Sequence, residues 1–449
     1  MSIKRKVKDV IIAAIGMDRV LYLFSKYKYI KTKKYSGKSC IQGKHITANP
    51  VTENWLIKDE MIGAQEKKVK VYEIKGRHVF FGYFDLAQID KKEEKMLVIS
   101  VDKKAKTDKD VAYIGYFDLK NDKNEYVELA ATRAWCWQQG ARLRFHPYRD
   151  NVILFNDVEN GKYVCREFDI ANRQVLKTYS EALYDIDSEM KYGIGLNFSR
   201  LQRLRPGYGY DKLEDNTKGI KAPENDGIYR VNLETGEKTL MVSYKELAKT
   251  NDRDEKYEHY VNHLSISPDG KKFIFFHIYA IEGYTKWKTG LYVMDISGEN
   301  MKLLEDSHNV SHYCWKNNDE VLITLVEPGK KQYYAMYNVN TGEKNIIGGN
   351  VLTRDGHPWI LEDRKSFISD TYPDGHSVQH LFRYDMQSGK KEEIAALYSD
   401  PRLYMEKRCD LHPRVSASER IVTVDSTFSH KCRKVLLMEL IGDQENKNV

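Results

Sequence analysis

The sequence predicts an all-β protein, a seven-bladed β-propeller carrying a short basic helical extension at its N-terminus. Three observations predict it. A strand, a tight polar turn and a second strand recur at intervals of roughly 40 to 60 residues, the spacing of propeller blades. Seven segments share one ending, a β-rich run followed by an acidic or Asn residue and a turn. In four successive repeats a histidine occupies the same register. The 31 Tyr, 15 Phe and 6 Trp, against only 10 Pro, suit β structure with aromatic packing between blades. A chain of 449 residues would ordinarily divide into domains, but a propeller absorbs that length because each blade packs only on its neighbours.

Residues 1–50 read as the basic extension and 51–449 as the propeller. Residues 1–40 contain eleven Lys/Arg against Asp9 and Asp18, a net of +9, whereas the whole chain is +7, so the remainder sums to −2. Lys4-Arg5-Lys6-Val7-Lys8 precedes Val10–Met17, and apolar residues at 7, 10, 11, 14, 15, 21 and 22 fit one helical face. Three readings stay open. An export signal is disfavoured by Asp18-Arg19, which interrupts the apolar core. Residues 1–30 as a basic amphipathic helix would rest on an anionic membrane. A solvated helix would simply cap the propeller. The expected location is therefore cytoplasmic or peripheral at the inner membrane face, with export the weaker alternative. No run of 18 apolar residues suggests a membrane-spanning helix.

The seven shared endings are Tyr113–Asp118, Val164–Asp169, Gly227–Asn232, Gly290–Asp295, Tyr333–Asn338, Leu381–Asp385 and Val435–Leu440. Each is read as the closing segment of a blade. Lys434–Leu440 has no inner strands after it, so it is expected to complete a blade begun near Gly76–Asp85 and join the ends of the ring. Six blades with a separate N-terminal subdomain is the alternative. Asn156-Asp157, His277, Asp370-Thr371-Tyr372 and Asp425-Ser426-Thr427 follow apolar inner strands, where polar side chains cap strands and bond neighbouring blades.

The turns at Ser267–Gly270, Asn317–Asp319, Glu362–Arg364 and Ala417–Glu419 place His263, His312, His357 and His412 six residues before their midpoints. Equivalent positions at the start of innermost strands converge on the axis. Neutral imidazoles meeting there lack mutual donors and acceptors unless a metal, water or ligand completes them. A divalent metal (Mn, Zn or Ca) is the expected cofactor. His-Pro at 357–358 and 412–413 is in part turn chemistry, and Cys314 and His277 are substitute ligands if one of the four turns away. The six cysteines show no CxxC pair and read as reduced thiols.

A second constellation lies at Tyr192–Tyr210, where Arg200, Arg203 and Arg205 precede Pro206-Gly207-Tyr208-Gly209-Tyr210. Arginine forks bind carboxylates and tyrosines offer sugar stacking and a phenolic proton, which suits an acidic polysaccharide. Arginines stacked on blade aromatics would give the same pattern. Trp135-Cys136-Trp137-Gln138-Gln139-Gly140, with Arg142 and His146, either lines the same mouth or packs between blades.

The run His263–Phe273 with His277, then Ser311-His312-Tyr313, Asp355-Gly356-His357-Pro358, Asp370–Asp374 and Cys409–Arg414, resembles the oligogalacturonate lyase-type propellers and the related ulvan lyase propellers. The resemblance covers about residues 130 to 440. It implies a seven-bladed propeller with an axial metal held by inner-strand histidines and a cleft for a uronate-containing glycan cut by β-elimination. Such a reaction needs a neutraliser for the carboxylate, a base at C5 and an acid at O4. The histidine site, Arg200 or Arg205 would be the first; Tyr208, Tyr210, His146 or His277 the others.

No GxxxxGK[ST], GxSxG, HExxH or complete GxGxxG occurs. Nucleic acid is not an expected partner, because the propeller portion is close to neutral. Two readings follow: a polysaccharide lyase-like protein acting on acidic glycan, and a non-catalytic glycan- or protein-binding propeller in capsular or other surface polysaccharide synthesis.

Overall fold

The computed structural model describes residues 16–35, 69–105, 110–120, 125–250, 257–280, 287–306, 309–327, 332–428 and 432–440, together with short strands at Gly43–Lys44 and Asn54–Trp55. Seven four-stranded antiparallel sheets form the ring of a seven-bladed propeller. Their innermost strands are Arg77–Phe80 (blade 1), Arg144–Phe145 (blade 2), Asp185–Ile186 (blade 3), His259–Ile266 (blade 4), Asn309–Trp315 (blade 5), Trp359–Ile360 (blade 6) and Arg414–Val415 (blade 7). The boundary expected at residue 50, and the basic run Lys4–Lys8 with the apolar positions up to 15, lie outside the described residues.

The seven shared endings are the third strands of their blades, not the closing ones. Outer strands such as Gln174–Tyr179 and Lys238–Ser243 follow them. Gln174–Tyr179 is largely exposed, so its sequence lacks the apolar run that betrays a buried strand. The ring closure also differs from expectation. Lys434–Glu439 pairs with Ile421–Ser426 on one side and with Val69–Tyr72 on the other, Met438 opposite Val69 and Val435 opposite Tyr72. Blade 7 thus begins at Arg414, and Gly76–Asp85 opens blade 1 instead of completing the last blade. The two-residue inner strand of blade 7 is too short to show in the sequence, while the closing strand buries Val69, Val71 and Tyr72 completely.

Polar residues within or just beyond second strands tie blade to blade. The Asn156 amide donates to the Leu183 carbonyl at 2.9 Å and accepts from its N–H at 3.0 Å. Asp370 accepts from the N–H of His412 in blade 7 at 3.2 Å, and Asp425 from the N–H of Phe81 in blade 1 at 3.2 Å. A buried carboxylate or amide left without such donors would cost a few kcal/mol, so these latches fix the relative seating of neighbouring blades. His277 behaves otherwise: its ring lies 2.9 Å from the His259 ring within blade 4.

The helix α1 (Met17–Thr32) rests on blade 6. Ser25 and Thr32 are buried, Thr32 Oγ1 lies 3.3 Å from the Tyr398 hydroxyl, and the Arg402 guanidinium sits 3.7 Å over the Tyr29 ring. Positions 21, 25, 28, 29 and 32 share one face of an α-helix, and that face turns to the propeller.

Candidate functional site

Blades 4 to 7 bring His263, His312, His357 and His412 together, with consecutive ring centroids 6.1, 4.0 and 4.4 Å apart. All four are buried, at 8, 3, 1 and 3 % exposure. The local backbone explains the aim of two of them. His263 and His412 have φ of 53° and 47°, and strand pairing slips between Asn262 and Ser265, a bulge that re-aims the His263 ring. Gly356 lets His357 seat: a Cβ there would lie 1.9 Å from the Asp370 carbonyl oxygen.

Each of three imidazoles is held by its Nδ1. His312 meets Asp355 Oδ1 at 3.0 Å, His357 meets Asp370 Oδ1 at 2.8 Å, and His412 meets the Gly82 carbonyl at 2.6 Å. A carboxylate or carbonyl on Nδ1 assigns the proton there and leaves Nε2 as the free lone pair. The Nε2 atoms of His357 and His412 are buried with no hydrogen-bond partner. Together with an Asp410 carboxylate oxygen, ligand atoms of these two residues lie within 4.8 Å of one another. Such orphaned donors beside a buried carboxylate fit a divalent cation.

The four histidines are not equivalent. Tyr83 and Phe84, carried in from blade 1, fill part of the space between them, and the Tyr83 ring stacks on His263 at 5.0 Å. The Tyr83 hydroxyl lies 3.4 Å from His263 Nε2, which is therefore already engaged. The compact donor set is His357, His412 and Asp410, with His312 beside it. Gly82, at φ 129°, permits this entry of blade 1: a Cβ there would lie 2.9 Å from the Gln139 and Gly140 backbone. Asp410 escaped the sequence reading, although Asp410-Leu411-His412 has the i, i+2 spacing that puts two side chains on one side of an extended segment.

Burial pushes His263 and His412 well below the usual imidazole range and lowers His312, with His357 and other neighbouring cations acting in the same direction. These rings are neutral, the state in which imidazole donates to a metal. Burial opposes protonation of His357 too, but the Asp370 carboxylate outweighs it and His357 is raised.

A basic and phenolic wall adjoins the donor set. Arg408 Nε bonds Asp410 at 2.9 Å and its terminal nitrogen donates to the Tyr208 hydroxyl at 2.6 Å. Arg205 lies 5.3 Å over the Tyr208 ring, and that ring is 5.8 Å from His263. Tyr372 completes the wall, 5.7 Å from the His357 ring. A cavity of about 280 Å³ reaches Arg408 and Asp410 between α1, through Phe24 and Lys28, and Tyr404.

Other expected site residues lie elsewhere. The Arg200 guanidinium, on the short helix Phe198–Leu204, is fully buried and donates to the carbonyls of His259, Ile220 and Lys221 and to the Thr217 hydroxyl, so it braces the loop after that helix. Tyr210 is fully buried, stacked 4.2 Å from Phe198 with its hydroxyl bonded by Asn156. His146 accepts from the N–H groups of Tyr148 and Arg149 beside Glu167, in a separate cavity between blades 2 and 3. His277 is paired with His259, and Cys314 lies against the Ile360 N–H, its thiol pushed up to about 11 by burial. Neither reaches the donor set. Trp135 and Trp137 pack against Phe80, whereas Arg142 forks onto Asp85 at 3.0 and 2.8 Å.

No family model matches the chain, and no curated protein matches it in sequence. Among solved structures it is similar to an oligogalacturonate lyase in complex with manganese, at 14% identity and a TM-score of 0.59, over 85% of this chain and 99% of the other. It is likewise similar to the oligogalacturonate lyase of Vibrio parahaemolyticus, at 12% identity and a TM-score of 0.58, over 84% of this chain and 97% of the other. The chain therefore has the propeller fold of oligogalacturonate lyases along nearly their whole length, at an identity that speaks to fold alone.

Proposed function

We propose that this chain is a metal-dependent, lyase-like propeller acting on an acidic, uronate-containing oligosaccharide. The observation that carries it is the pair of buried, unpartnered Nε2 atoms on His357 and His412 beside Asp410. Those three residues, with His312 alongside, would hold the ion. The manganese in a structurally similar lyase is consistent with such a donor set. When bound, a divalent ion supplies a Lewis acid that neutralises a carboxylate and so acidifies the adjacent C–H.

The residues around it divide the remaining work. β-Elimination breaks C5–H and C4–O4 and forms the C4–C5 double bond, so one proton must be taken and one given. Arg408 and Arg205 present positive charge to a uronate carboxylate. Tyr208 accepts from Arg408, which leaves its own hydrogen to protonate O4. His263, held neutral by burial, would take the C5 proton once its Nε2 is released from the Tyr83 hydroxyl. Purified protein should contain close to one Mn, Zn or Ca per chain. Oligogalacturonate and related uronates should yield products absorbing as unsaturated uronates. Tyr208→Phe should retain the metal and lose turnover by about 10² to 10⁴. A protein that takes up no divalent metal, and forms no such product when metal is added, overturns this reading.

A second reading is favoured by Tyr83 and Phe84, which occupy space among the histidines and leave the donor set nearly closed to solvent. A propeller that binds acidic glycan without cleaving it, in surface polysaccharide synthesis, needs no open reaction centre. Glycan binding with no product, in metal-loaded protein, would select it.

A further inference from the structure

We propose that the outward face of α1 docks on a lipid surface bearing anionic headgroups. This rests on the helix and is independent of the chemistry at the axis. Leu23, Tyr27 and Ile30 are 54, 63 and 65 % exposed and follow one another at the four- and three-residue spacing of a single helical stripe. Phe24, 61 % exposed, stands at its margin. At about 100° per residue this stripe is centred half a turn from Leu21, Ser25 and Thr32, which face the propeller. The contacts of Tyr29 and Thr32 with blade 6 anchor the inner face, so the outer one is held away from the propeller core.

Charge decides the occupant. Arg19 and Lys26 flank the stripe on one side and Lys31 on the other, with Lys33 and Lys34 following. Residues 16–35 carry six Lys/Arg against Asp18 alone, a net of +5. A two-fold pairing with a second copy would set two such surfaces of like charge against each other. An anionic bilayer accepts the apolar stripe at the headgroup boundary while lysines reach the lipid phosphates, the arrangement of interfacial helices. Docked in this way, the helix would lie between the bilayer and the cavity that it walls at Arg408 and Asp410.

The full chain should co-sediment with vesicles of phosphatidylcholine plus phosphatidylglycerol, not with phosphatidylcholine alone, and should be released as salt rises. Leu23→Ser/Ile30→Ser should weaken binding about tenfold and Lys26→Glu/Lys31→Glu about a hundredfold. Both variants should keep the wild-type unfolding temperature, because the exchanged side chains face outward. Each variant is read independently, so misfolding of one leaves the other decisive. Equal binding to neutral vesicles overturns the proposal. So does wild-type binding by both variants, or a dimer dissociated by the same substitutions.

Discussion

Asp370 does three jobs with one carboxylate. It accepts from the N–H and Nδ1 of His357 and from the N–H of His412, so it seats two imidazoles from adjacent blades. Replacing such a supporting carboxylate typically costs 10- to 100-fold in metal affinity, and Asp370→Ala should do so in a titration followed by calorimetry. Tyr210→Phe should behave oppositely. It removes one hydrogen bond with Asn156, costs on the order of 1 kcal/mol in urea unfolding and leaves metal content and glycan binding unchanged. Loss of turnover at constant stability would return Tyr210 to the site. At this scale the sequence was legible where a pattern repeats. Four histidines in one register announce their own convergence, whereas Asp410 is marked only by its i, i+2 spacing from His412, and no pattern tells a guanidinium bonded by carbonyls, as in Arg200, from one facing a cleft.

The strand Val378–Asp385 of blade 6 carries a charge device of its own. His380 Nδ1 lies 2.7 Å from Glu393 Oε1, and Asp374 is 3.8 Å from its other nitrogen. These carboxylates push His380 up to about 9 from 6.5. Because the folded protein holds this proton more tightly than the unfolded chain, the stabilisation is complete below about pH 6.5 and disappears as pH rises through about 9. Urea midpoints of the wild type should therefore decline relative to His380→Gln across that window. Parallel curves would show that His380 adds nothing. Elements differed in legibility according to what they bury. Second strands such as Glu320–Val326, buried along nearly their whole length, read as apolar runs. Outer strands such as Gln174–Tyr179 expose most of their side chains and left no such trace.

Closure of the ring is a property of the whole molecule. A strand of four residues, Val69–Tyr72, completes blade 7 and buries three apolar side chains fully. Deleting the chain through residue 72 should destabilise the propeller by about 5 kcal/mol or more, whereas deleting through residue 35 should leave the ring intact. Equal urea midpoints for the two truncations would contradict this. The blade count was legible because seven third strands share a pattern, and a joining of the chain ends followed from Lys434–Leu440 having no inner strands after it; the segment that joins it, Val69–Tyr72 and not Gly76–Asp85, was not, because pairing between strands hundreds of residues apart leaves no local mark. That pairing also sets a timetable. Val69–Tyr72 leaves the ribosome early and waits, unpaired, until Lys434–Glu439 is made. Tyr83 likewise waits for His263, and Gly82 for His412. The centre thus cannot assemble on a nascent chain, and an open strand edge persists through most of synthesis, the condition in which a holding chaperone has most to protect.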